Sequence, residues 1–126
     1  VKVEDPSAPV LTIASGAVLE FGPAGGLEVG VHEPGGLVVE TEVLLTSQTE
    51  AAWHGVKVGR HCTQVAMRGV TLSEAGANPV GGVWVDRCEH SRFDALTVTG
   101  RSGCAVFVDP RTRSISLTNV AGLVCP

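Results

Sequence analysis

The sequence predicts an all-β chain wound as a parallel β-helix of about five coils. Three observations carry this expectation. Polar–apolar alternation runs in short segments, such as Leu11-Thr12-Ile13, Leu27-Glu28-Val29, Val56-Lys57-Val58, Val83-Trp84-Val85 and Val106-Phe107-Val108, as half-buried strands require. Composition is skewed toward 21 Val and 16 Gly, with no Tyr and one Met; branched Val suits a pleated surface and Gly suits tight turns. The third observation is a repeat. Gly55-Val56-Lys57-Val58-Gly59 aligns with Gly82-Val83-Trp84-Val85-Asp86, and again with Ala105-Val106-Phe107-Val108-Asp109. A β-sandwich or jelly roll is the alternative that short strands and Gly turns also permit.

A second strand follows each repeat at a similar distance. Met67-Arg68-Gly69-Val70-Thr71-Leu72 matches Phe93-Asp94-Ala95-Leu96-Thr97-Val98, and more loosely Leu117-Thr118-Asn119-Val120. A period in this range, with strands and no helical stripe, suits coils whose equivalent strands pair in parallel. The coils are expected near 10–30, 31–52, 53–80, 81–103 and 104–126. Residues 1–9, with Pro6 and Pro9, read as an N-terminal extension or cap, and 10–126 as the β-helix domain. Val56, Val83 and Val106 should form one buried column, and Val58, Val85 and Val108 another. Ser73 to Val80 should loop outward before the repeat resumes.

Leu11 to Gly22, followed by Gly26-Leu27-Glu28-Val29-Gly30, resembles the first coil of right-handed parallel β-helix domains. Ala95 to Gly100 and Leu117 to Val120 are similar to their standard repeat segments. This is the pattern of the pectate-lyase-like superfamily in bacterial secreted and surface proteins. The resemblance implies a right-handed coil. Enzymes of that superfamily need a long groove, calcium-binding acids and a basic residue. Here only Asp86, Asp109, Lys57 and nearby Arg stand in suitable places, so an enzyme is not the expectation.

The repeat also positions the four cysteines. Cys62 lies four residues after Val58 and Cys88 three after Val85; Cys104 lies four after Gly100 and Cys125 three after Gly122. Each pair falls on one corner of adjacent coils. That register selects Cys62–Cys88 and Cys104–Cys125 from the three pairings that four cysteines allow. Disulfides point to a secreted, periplasmic or cell-surface protein. A zinc set of His61, Cys62, Cys88 and His90 is the alternative, although its spacing matches no established finger.

The central residues of the matched strands should point outward, so Lys57, Trp84 and Phe107 form an outer ladder. It would serve as a sugar platform or a protein interface, unless the loop through Val80 covers it. Asp86 and Asp109 form a second ladder. It would hold calcium or an acid/base pair, or else simply end strands as turn residues. His32 and His54 are read as structural or solvated. Arg87, Arg92, Arg101, Arg111 and Arg113 are read as a solvated edge with some reach for an acidic polysaccharide.

Net charge is −4, which disfavours a nucleic-acid surface. No apolar run approaches the roughly 18 residues of a membrane span. The chain starts at Val1 without Met or an apolar leader, as expected of an excised or processed piece. No nucleophile elbow, phosphate loop or dinucleotide fingerprint is present, and no cofactor is implied. The expected function is a non-catalytic extracellular or cell-surface scaffold or binding module, with adhesion among the roles it would serve. Alternatives are a carbohydrate-active domain for an acidic polysaccharide, or a self-assembling unit that dimerises through coil ends or the aromatic ladder.

Overall fold

The structure is a computed structural model and describes residues 1–49, 51–75, 81–100 and 104–126. It contains strands β1 (Lys2–Val3), β2 (Val10–Ile13), β3 (Val18–Phe21), β4 (Leu27–Val29) and β5 (Gly35–Val39). Next come β6 (Val43–Ser47), β7 (Val56–Val58), β8 (Cys62–Arg68), β9 (Val70–Ser73) and β10 (Val83–Val85). The last are β11 (Ser91–Asp94), β12 (Thr97–Thr99), β13 (Cys104–Val108), β14 (Ile115–Thr118) and β15 (Leu123–Cys125).

These strands pair only in parallel and build three sheets along a solenoid. The first sheet has the order β1-β4-β7-β10-β13-β15, the second β14-β11-β8-β5-β2, and the third β12-β9-β6-β3. Each coil therefore visits the three sheets in turn. Four coils have all three strands. A fifth has β13, β14 and an isolated bridge between Thr97 and Ala121. The parallel pairing excludes the sandwich alternative, whose sheets are antiparallel. The coils start on the first sheet, so β1 lies within residues 1–9 and pairs Val3 with Val29.

The valine columns form in the expected register. Val83 pairs with Val56 and Val106, and Val85 pairs with Val58 and Val108. Leu27 and Val29 extend the same columns one coil back. Val29, Val56, Val58, Val83, Val85 and Val106 are fully buried. On the second sheet Met67, Phe93 and Leu117 stack in register. On the third, Leu45, Leu72 and Val98 do so. Parallel rungs lie about 4.8 Å apart, so each buried side chain rests on its counterpart. Similar volumes then pack without voids.

Corners need special backbone. Between the second and third sheets each coil turns through one left-handed residue: Gly16, Glu42, Gly69, Ala95 and Asn119, with φ between 53° and 82°. At the start of the first sheet, Gly55 (φ 80°) approaches the next coil so closely that a Cβ would collide with the Gly82 carbonyl oxygen. A side chain at this corner is therefore excluded on both counts. Trp53 fills the corner between the third and first sheets. Its ring stacks on Phe21 at 4.4 Å and its indole N–H donates to the Ser73 carbonyl at 2.7 Å. Among the described residues no helix is long and apolar enough to cross a membrane.

Candidate functional site

The outward positions of the first sheet form one column across five coils: Lys2, Glu28, Lys57, Trp84 and Phe107. Period-2 strands put these side chains opposite the buried valines. Lys57, Trp84 and Phe107 thus stand in the expected outer ladder, all half-buried. Lys2 and Glu28 are a continuation that the sequence reading missed. Leu27-Glu28-Val29 has the same apolar–charged–apolar pattern as Val56-Lys57-Val58, and that was the available signal.

A groove of ≈ 460 Å³ runs along this column from Lys2 to Trp84, lined by Glu28, His54, Gly55 and Lys57 among others, and Phe107 does not line it. Its size falls in the range of small-ligand sites, roughly 300–1,000 Å³. The Lys57 ammonium sits 4.0 Å from the centroid of the Trp84 ring, a cation–π contact. One face of the indole is therefore occupied by a cation, which modifies the expectation of a bare sugar platform. The Trp84 indole N–H is buried with no hydrogen-bond partner among the described residues. Glu28 stands one rung from Lys57 and one from Lys2, yet among the described residues none of the three joins an ion pair. His54, read as structural or solvated, lies at the groove.

The second ladder has different chemistry. Asp86 and Asp109 follow β10 and β13, and each donates its backbone N–H to the preceding coil, at Val58 and Val85. Their carboxylates are already engaged. Asp86 accepts from Arg87 Nε at 3.0 Å. Asp109 accepts from Arg111 Nε and Nη2 at 2.9 Å each, and from the Arg111 backbone N–H. The Arg111 guanidinium holds the Asp109 carboxyl well below the usual range. A carboxylate so held is a poor proton donor. The geometry is that of a strand-ending turn, closed by Thr112 N–H donating to the Asp109 carbonyl.

Both expected disulfides are present. Cys62–Cys88 has a Cα separation of 5.6 Å and Cys104–Cys125 one of 5.8 Å, within the roughly 4.4–6.8 Å that bridging needs. With their sulfurs joined, Cys62 and Cys88 present no thiolates, so the zinc alternative with His61 and His90 fails. No group of three or more His, Cys, Asp or Glu side chains among the described residues is arranged to hold a metal. Of the expected outward loop, Ser73 instead ends β9 and Ala75 is buried in a parallel bridge to Trp53, while Gly76 to Val80 lie outside the described residues, as does Arg101.

Two acidic residues that sequence reading passed over act as staples between coils. Glu4 accepts from the backbone N–H groups of Val31 and His32 at 2.9 and 2.7 Å. These bonds, led by that from His32, lower its pKa. Glu89 accepts from Arg113 and Ser114 N–H groups in the next coil at 2.9 and 2.8 Å. Both lie on the turn from the first sheet to the second, which also holds Cys62–Cys88.

Comparisons of the chain with protein-family models, with curated proteins and with solved structures return no match.

Proposed function

We propose that this chain is a non-catalytic binding module of an extracellular or cell-surface protein, and that it engages a saccharide through the groove on its first sheet. The observation that carries this reading is the coincidence of the groove with an outer column in which Lys2, Glu28 and Lys57 join no ion pair among the described residues and the half-buried Trp84 lies under Lys57. Aromatic faces and fixed polar groups on a rigid sheet are what sugar recognition uses. The two disulfides support an oxidising compartment. The coil pattern, similar to that of bacterial surface β-helices of the pectate-lyase-like type, supports the same location. The engaged states of Asp86 and Asp109 support a non-catalytic role.

The test is retention on a panel of immobilised neutral, acidic and amino-bearing polysaccharides. Wild-type protein is expected to be held by at least one member, and Trp84→Ala to lower that affinity at least tenfold with folding intact. Equal retention of Trp84→Ala, or no retention of wild type on any member, overturns the reading.

A further inference from the structure

The column Lys2–Glu28–Lys57 alternates plus, minus, plus at one charge per coil. Neighbouring rungs are about 4.8 Å apart, close enough for lysine and glutamate to pair. They do not: among the described residues Glu28 has no ion-pair partner, and Lys57 lies over Trp84 instead. A surface ion pair and an exposed cation–π contact are both weak and of similar strength. The alternatives for Lys57 are nearly equal in free energy, so a ligand anion can draw it off the indole at small cost. Its departure frees a Trp84 face for an apolar ring surface.

We infer, resting on the groove reading above, that the groove takes a zwitterionic amino sugar: a pyranose carrying an anionic group for Lys57 and an ammonium for Glu28. Alternation is the deciding feature. A purely anionic ligand would place negative charge against Glu28 and approach a chain of net charge −4, both unfavourable. A neutral sugar would leave the desolvated Glu28 and Lys57 without partners, which costs affinity. A zwitterion satisfies both, and its charges lie along the coil axis with the spacing of the rungs.

Four sugars separate the charges: muramic acid (both), N-acetylmuramic acid (anion only), glucosamine (cation only) and N-acetylglucosamine (neither). The readout is the Trp84 indole N–H signal in ¹⁵N NMR, distinguished from that of Trp53 by Trp84→Phe. Muramic acid is expected to bind at least tenfold more tightly than the other three. Glu28→Gln should erase its advantage over N-acetylmuramic acid, and Lys57→Gln its advantage over glucosamine. Equal binding of muramic and N-acetylmuramic acids overturns the inference in favour of an acidic saccharide and leaves the groove reading standing. Silence of the Trp84 signal to all four also overturns the inference. The groove reading itself falls only on the polysaccharide panel.

Discussion

Two columns run side by side along the first sheet, and they use charge in opposite ways. On the face, Lys2, Glu28 and Lys57 stand one rung apart without pairing, and Trp84 keeps an orphan N–H, among the described residues. At the neighbouring corner four acids are satisfied. Glu4 and Glu89 bind backbone N–H groups of the next coil, Asp86 and Asp109 bind arginines, and Cys62–Cys88 locks two coils covalently. Glu4 and Glu89 thereby hold coils together, while Asp86 and Asp109 close their own turns. The face leaves its polar groups for something else. Glutamate thus serves stability at the corner and, in the function we propose, recognition on the face, according to whether the fold supplies its partners.

The sharpest break of this comparison is to open the corner. Replacing both Cys62 and Cys88 by Ala releases a loop of 26 residues and should cost about 3 kcal/mol by loop-closure entropy. The measurement is the urea midpoint, with sugar affinity below that midpoint unchanged. Equal stability would mean that hydrogen bonds alone hold the corner.

Next in size is the face. Trp84→Ala should lower saccharide affinity at least tenfold, about 1.4 kcal/mol, while the urea midpoint stays close to wild type because Trp84 is only half-buried. A large fall in stability with affinity retained would reverse the roles of the two columns.

A smaller effect is expected at Ala95, which occupies the left-handed corner at φ 54° where the preceding coil has Gly69. A Cβ there costs about 1 kcal/mol, partly offset by the extra unfolded-state freedom of glycine. Ala95→Gly should therefore stabilise by up to about 1 kcal/mol in thermal unfolding. Loss of stability would show that packing against the neighbouring coils holds the alanine.

The smallest effect is acid sensitivity at the N-terminal staple. Glu4 has a folded pKa below its ordinary value because backbone N–H groups bind its anion. Its contribution is complete above the unfolded value, near pH 4.5, and is lost as pH falls through the folded value. Glu4→Gln should flatten stability against pH in that window and leave it unchanged in slope near neutrality. An unaltered acid limb would remove Glu4 from the corner's account.

Much of this architecture was legible in the chain. Val56, Val83 and Val106 recur with flanking glycine or aspartate, and stacking in register follows because equal side chains fill equal cross-sections. The cysteine pairing followed from that register. The earlier coils were harder to read. Leu27-Glu28-Val29 keeps the alternation but loses the valine pair, so the column's continuation through Glu28 and Lys2 was missed. Glu4 and Glu89 were invisible for another reason. Their partners are backbone N–H groups about 25 residues away, which carry no side-chain signature.

Sequence alone determined which residues lie over one another, because side-chain volume and strand period repeat along the chain and both are properties of residue order. Tertiary structure decided which charges find partners. Lys57 on Trp84 rather than on Glu28, and Asp109 on Arg111 rather than open to a ligand, are choices among nearby groups of similar energy. Only the three-dimensional distances between them settle such choices.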